Sequence, residues 1–310
     1  MYQDLDVLCI GGMVADYIVK PVGRYIFDHD KNELDTFEVN LGGDAANEAI
    51  IFGRYGVRVG LGGEMGDDTT GAQLMQYMRD NHVDTSNIKV RGRTRCSMVM
   101  IQEDGSRCFL SYGRKNSRYS MADLDLLQLA HTKLLSVGSI HILPTLDADL
   151  AEIFKAAKHA GCMTSADMMQ ANPDQQVDMD AIFRNTDYLL PSFIEAQELT
   201  GEDIPEKQAA QLLQRGVKNV VIKLGEEGSL FMNAEESFRT PIIPAEVVDT
   251  TGAGDNFVAS FLTGVIKGWP YHRCMQFATA AGSIAVRGIG ATSCVKSLDQ
   301  VEELAKSAGR

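Results

Sequence analysis

The 310-residue chain is short of cysteine, proline and positive charge, and each shortage removes a class of function. Its six cysteines (Cys9, Cys96, Cys108, Cys162, Cys274 and Cys294) lie far apart with no Cys-x-x-Cys. Neither a structural zinc nor a redox dithiol is indicated, and small core residues are expected instead. The eight prolines are scattered as turn punctuation, with no linker tract, low-complexity run or internal repeat. Twenty-nine Lys and Arg against 42 Asp and Glu leave a net charge of −13. With no basic stripe to offset it, that charge argues against nucleic acid as the main partner. No apolar run is long enough to span a bilayer, and the start, Met1 to Asp6, is acidic where a secretory signal would be basic. No membrane association is expected, and the expected location is cytoplasmic. The six histidines are dispersed, and His141, between Ile140 and Ile142, reads as a strand residue. No G-x-x-x-x-G-K-[ST] loop occurs, and Gly60-Leu61-Gly62-Gly63-Glu64-Met65 puts methionine where a dinucleotide fingerprint needs a small residue.

What is present is an alternation of short apolar runs and helical patterns. Val7-Ile10, ending at Gly11-Gly12, reads as a buried first strand, and similar runs recur at Val57-Leu61, Leu134-Val137, Tyr188-Leu190 and Val220-Leu224. Between them Thr69-Asn81, Ala148-Ala160, Glu195-Thr200 and Pro205-Gln214 carry apolar residues at helical spacing. This predicts an α/β fold with a mostly parallel sheet covered by helices. Ligands of such sheets bind beyond the carboxyl ends of the strands, where Gly11-Gly12, Gly42-Gly43 and the Asp167 segment fall. Thr94-Ile101 and Arg107-Tyr112 alternate like strands around Asp104-Gly105, a hairpin signal. With Val14-Val19 and Phe37-Leu41 they predict a small separate β-sheet.

Two glycine-led helix starts carry the chemistry. Asp249-Thr250-Thr251-Gly252-Ala253-Gly254-Asp255 precedes a helical segment from Asn256 to Val265. The first N–H groups of a helix lack intrahelical partners and sit at the positive end of its dipole, which favours a phosphate. Small residues let that phosphate approach, and Asp255 is placed to accept a proton from an attacking hydroxyl. Standing alone, the heptapeptide fits a turn with Asp255 as a simple N-cap at least as well. Leu41-Gly42-Gly43-Asp44-Ala45-Ala46-Asn47 opens a second helix, with Ala46, Ala49, Ile50 and Phe52 on its apolar face and Gly56 at its end.

Together, in this order and with this strand pattern, the two motifs resemble the signatures of the ribokinase family, the PfkB-type carbohydrate kinases. The resemblance runs from Leu5 to the C-terminal helix and implies a single ribokinase-like domain over 1–310, with lid segments 12–40 and 93–112. It implies ATP-dependent phosphorylation of a hydroxymethyl group on a sugar or sugar acid, with Mg2+ and, in many members, K+. On this resemblance Asp255 is the general base, and Gly252, Ala253 and Gly254 form the anion hole. Asp16, Gly42, Gly43 and Asn47 bind the sugar, with Asp44 tuning substrate choice or capping its helix. Lys223, Gly225, Gly228, Thr250 and Gly290 lie on the nucleotide side. Glu195 organises Mg2+ through water, and Asp249 and Thr251 border the monovalent cation. The family's asparagine three residues before that glutamate is Ser192 here, which puts its water network in doubt. In several members the lid also pairs two subunits into a homodimer. A nucleoside kinase of the same family and a catalytically silent sugar-binding regulator stay open as alternatives. Arg114-Lys115-Asn116-Ser117-Arg118, a cationic cluster after the last lid strand, suggests an acidic acceptor, against a plain solvated turn.

Overall fold

A computed structural model describes residues 3–103, 106–113, 116–168 and 177–308. The chain opens with β1 (Leu5–Gly11), β2 (Val14–Lys20), β3 (Thr36–Gly42), α1 (Asp44–Arg54), β4 (Val59–Met65) and α2 (Thr69–Asp80). Next come β5 (Val83–Asp84), β6 (Ile88–Val90), β7 (Cys96–Ile101), β8 (Arg107–Tyr112), β9 (Thr132–Ile140), α3 (Pro144–His159) and β10 (Met163–Met168). They are followed by α4 (Met179–Phe183), β11 (Tyr188–Leu189), α5 (Phe193–Thr200), α6 (Pro205–Gln214) and β12 (Asn219–Lys223). The antiparallel strands β13 (Ser229–Asn233) and β14 (Ser237–Thr240) and helices α7 (Ala253–Ile266), α8 (Tyr271–Ala285) and α9 (Leu298–Ala308) complete the described residues.

The main sheet runs β14-β13-β12-β11-β10-β9-β1-β4-β5, with β6 added on β4. All pairs from β12 to β5 are parallel. A strand buried on both faces should be apolar at every position, and β1 shows why. Val7 and Cys9 pack on the side of α1, α7 and α8, while Leu8 and Ile10 pack on the side of α3, α4 and α6. Each such side chain contributes about 1.5–3 kcal/mol by leaving water.

The second sheet, β3-β2-β7-β8, stands apart as a lid. Its registers align Val39, Tyr17, Met98 and Leu110 in one row across all four strands. The sequence foresaw these strands, although Asp104 and Gly105, the expected hairpin signal, lie outside the described residues. Three expectations change. His141 is not a strand residue: β9 ends at Ile140, and His141 turns with φ 78° while its N–H donates to Asp147. Helix α3 begins at Pro144 rather than Ala148, because proline at the first turn needs no N–H partner. Strand β10, MTSADM, is marked in the sequence only by the Asp167 segment at its end, because Thr164, Ser165 and Asp167 interrupt its apolar run.

At the end of β1 the backbone passes close to its neighbours. A Cβ on Gly11 would lie 2.4 Å from the Gly138 carbonyl oxygen, where φ is also +151°, whereas one on Gly12 would meet nothing nearer than 3.7 Å. Gly11→Ala is therefore expected to destabilise the chain by roughly 2–3 kcal/mol in urea denaturation. Gly12→Ala should stay within about 0.5 kcal/mol of the parent.

Candidate active site

Two helix N-termini meet at the carboxyl end of the sheet. Helices α1 and α7 pack against each other, and both begin at a glycine with positive φ, Gly43 at 95° and Gly252 at 76°. Neither glycine N-cap supplies a side-chain cap. By contrast Asp68, Asp178 and Ser192 cap α2, α4 and α5 with their own oxygens. The two glycine-led ends thus keep their dipoles open toward a ligand.

Asp255 is the third residue of α7, one turn inside the helix, so it is no N-cap. Its carboxylate is buried, and Asn47 Nδ2 of α1 donates to its Oδ2 at 2.7 Å. Burial pushes Asp255 up to about 6; the Asn47 bond pulls against this, and the charge of Asp167 adds to it. A carboxylate of that pKa is ionised at neutral pH yet still takes up a proton readily.

The Gly252 turn is held from behind. A Cβ on Gly252 would meet Ala291 oxygen at 2.4 Å, so only glycine fits both the space and the positive φ. Asn256 Nδ2 ties the turn to the following loop by donating to Gly252 oxygen at 2.6 Å and Ala291 oxygen at 2.7 Å. Asp249 joins the same two loops. Its Oδ1 accepts from the Thr251 N–H and hydroxyl, and its Oδ2 from the Gly290 N–H at 3.1 Å.

On one side of this turn Lys223, Gly225, Gly228, Thr250, Ala253 and Gly254 line a groove with a cavity volume of about 450 Å³. Its far end is apolar, with Ile243, Val247, Phe257 and Val286. Lys223 Nζ binds both carboxylate oxygens of Asp167, at 2.8 and 2.9 Å, and lies 3.5 Å from where a Gly254 Cβ would stand. Burial draws Lys223 down, but Asp167 and Glu195 outweigh it and hold the ammonium above the ordinary lysine range. Glu195 and Ser192 form a reciprocal capping box, with Ser192 N–H on Glu195 Oε2 at 2.7 Å and Glu195 N–H on Ser192 Oγ at 3.3 Å. Burial, with the charge of Asp167, raises the Glu195 pKa.

On the other side, under the lid, Asp16 faces Asn40 across the β2–β3 ladder. A Cβ on Gly42 would lie 2.0 Å from Asp16 Oδ2, so the absent side chain makes room for that carboxylate. Burial pushes Asp16 up to about 6, with the charge of Asp44 adding to it. Gly290 lines this narrow cavity with Asp16, Asn40, Asp249 and Thr251, rather than the large groove with Lys223. Asp167 is the residue that sequence reasoning mentioned only by position and gave no task. Its signal was its place at a strand end. Arg118 is exposed, and Arg114 and Lys115 lie outside the described residues.

Residues 4–298 match the pfkB family carbohydrate kinases. The chain belongs to that family. It is 25% identical to an ATP-dependent 6-phosphofructokinase of Thermoanaerobacterium thermosaccharolyticum, over 96% of this chain and 93% of that protein. It is 28% identical to the 2-dehydro-3-deoxygluconokinase of Bacillus subtilis, over 92% of this chain and 91% of that protein. The structure of Arabidopsis thaliana ribokinase complexed with ribose and ATP superposes with a TM-score of 0.84 at 26% identity, covering 98% of this chain and 99% of that one. This protein is a sugar kinase with a ribokinase-like fold, and no helix among its described residues is long and apolar enough to cross a membrane.

For this kinase Asp255→Asn is expected to lower kcat by roughly 10² to 10⁴ while leaving acceptor binding nearly unchanged. With Asp255 as the proposed base, which must be ionised to act, kcat/KM of the parent should fall as pH drops below about 6. Steady-state rates between pH 5 and 8 check both outcomes.

Proposed function

We propose that this PfkB kinase transfers the γ-phosphoryl group of ATP to a hydroxymethyl group of a sugar or sugar acid by direct in-line displacement. The observation that carries the reading is the Asn47–Asp255 hydrogen bond, which sets the acceptor turn and the glycine turn edge to edge. The groove suits a nucleotide. Its apolar end matches a base, and its other end offers Lys223 and the uncapped N-terminus of α7 to phosphates. Among the described residues no cluster of three or more His, Cys, Asp or Glu could hold a metal alone. Glu195, partly buried at the start of α5 beside Lys223 and Asp167, is the residue that would hold Mg2+ through water. Bound ATP supplies the phosphoryl group, and its Mg2+ supplies countercharge.

The chain's own residues do the rest. Asp255 takes up the proton of the acceptor hydroxyl while Asn47 holds its other oxygen. Asn47 Oδ1, buried with no partner among the described residues, and the Asp16 carboxylate are acceptors for sugar hydroxyls. The N–H groups of Gly252, Ala253 and Gly254 stabilise negative charge as it shifts during transfer. Lys223 draws that charge toward the groove. The lid excludes water, whose attack on ATP is the competing reaction. Asp249 and Thr251, with the Gly290 loop, are the proposed border for K+, supported by the carboxylate that binds both loops.

The test is a coupled ADP-release screen over pentoses, hexoses, ketoses, sugar acids and nucleosides. A sugar or sugar acid should stimulate ADP formation at least tenfold over the acceptor-free rate. A response to nucleosides alone, or to none, would overturn the reading. Within the same assay Glu195→Gln, which preserves the capping box, should raise the Mg2+ concentration needed for half-maximal rate. Ser192→Asn should leave it unchanged or lower it, because asparagine also caps α5. An unaltered Mg2+ dependence in Glu195→Gln would remove the metal role.

A further inference from the structure

Glu48 follows Asn47 on α1, and no step of the transfer uses it. It is fully buried, whereas Asp167, Asp187 and Asp255 keep 4%, 6% and 8% of their surface. Asp167 and Asp187 have lysines against them. Glu48 has no ion-pair partner among the described residues: Ser136 Oγ of β9 donates to its Oε2 at 2.7 Å, and its Oε1 is buried with no hydrogen-bond partner among them.

The surface facing Glu48 is polar but uncharged. Cys9 of β1, Ser136 of β9 and Ser165 of β10 share one register row, and Cys9 packs on the α1 side of the sheet, so the row faces α1. Ser165 Oγ is buried and without a partner among the described residues. The Cys9 thiol is held protonated, by burial above all. Beyond this row the titratable groups that act most on Glu48 are acids: Asp167 from β10, Asp255 from α7 and Asp44 from its own helix. Burial first, and then these charges, push the Glu48 pKa well above the ordinary glutamate range, against the pull of the Ser136 bond. As a neutral acid, Glu48 keeps Oε2 for Ser136 and gains a donor at Oε1.

Successive helical residues point about 100° apart. Asn47 is thus turned toward α7, where it donates to Asp255, and Glu48 toward β9. Helix α1 packs on both elements. Gly43 supplies no side-chain cap, so no polar group at the N-cap fixes the rotation of the first turn about the helix axis. The Glu48–Ser136 bond does so from the residue next to Asn47, and a small rotation there would move the Asn47 amide off the Asp255 carboxylate.

We propose that Glu48 is a positioning residue for phosphoryl transfer: retained as a neutral acid, it pins the start of α1 to β9 and so aims Asn47 at Asp255. The proposal rests on the kinase reading with Asp255 as the base. An ionised Glu48 would add a buried charge near Asp167 and Asp255 with no cation of its own, which the neutral acid avoids.

The first experiment compares thermal melting of the parent and Glu48→Gln between about pH 5 and 8. Above the ordinary glutamate pKa of about 4.3 an unfolded chain releases the Glu48 proton while the fold keeps it, so rising pH favours unfolding. Glutamine has no such proton. The melting temperature of the parent should therefore fall relative to that of Glu48→Gln as the pH rises, and a difference that does not change with pH overturns the neutral assignment. The second experiment is kinetic. Glu48→Leu should lower kcat roughly 10- to 100-fold with KM for ATP changed less than about threefold. It should also move the acid limb of kcat/KM to higher pH, because a misaimed Asn47 no longer favours the Asp255 carboxylate. Glu48→Gln, which can still accept from Ser136, should hold both near the parent values. Ser136→Ala, a smaller change for the fold, should move the acid limb in the same direction. In an Asn47→Ala background Glu48→Leu should add less than about threefold, since the bond it serves is already gone. Full additivity, or an acid limb unmoved in both Glu48→Leu and Ser136→Ala, overturns the positioning role. Melting needs no turnover: a folded parent without kinase activity contradicts the kinase reading, whereas a pH-independent melting difference overturns the Glu48 assignment alone.

Discussion

The hydrogen bond between Asn47 and Asp255 is the constraint on which the rest of the site depends. It joins residues 208 positions apart and locks together two helices that each start at a glycine turn. One turn faces the lid cavity and the other the Lys223 side of the groove. Two short turns could not hold such a register by themselves. The packing of α1 on α7 holds it for them, and the sheet behind them fixes both helices through side chains such as Val7 and Cys9. Catalysis by positioning needs that rigidity, since errors of about 1 Å at the reacting atoms are costly.

Electrostatics at the centre are one-sided. Asp255, Asp167 and Glu195 surround a single lysine, and fully buried Glu48 sits close enough for Asp167 and Asp255 to push its pKa up, after burial itself. Glu48 is therefore held toward its neutral form, with Ser136 donating to Oε2 at 2.7 Å. A site this rich in carboxylates repels a bare polyphosphate. On the proposed reading Lys223, the two helix termini and a divalent ion carried with the nucleotide would be the counterweights. Burial, with the charge of Asp167 and Glu195 adding to it, keeps Asp255 poised near 6 instead of in the ordinary aspartate range.

Much of this was legible in the chain. β1, β12 and α6 announce themselves through unbroken apolar runs or a proline start, and the two glycine motifs mark the helix ends that meet at the candidate site. What stayed hidden depends on contacts between distant segments. Nothing local says that Asn47 bonds Asp255, that Asp167 pairs with Lys223 across two strands, or that Asp249 clamps the Gly290 loop. The polar residues that hid β10 are there because its end reaches the site. Gly290 was expected on the nucleotide side, yet it lies with Asp16 under the lid, because Asp249 draws its loop there. Ser192, read as a departure from the family's metal motif, makes a reciprocal capping box with Glu195.

The central claim is that Asn47 sets both the position and the charge of Asp255, and the pH–rate profile of Asn47→Ala measures it directly. The Asn47 hydrogen bond favours the ionised carboxylate, so removing it should raise the apparent pKa of the acid limb of kcat/KM above that of the parent. The pH-independent rate should fall as well. An acid limb at the same pH in parent and variant would contradict the account.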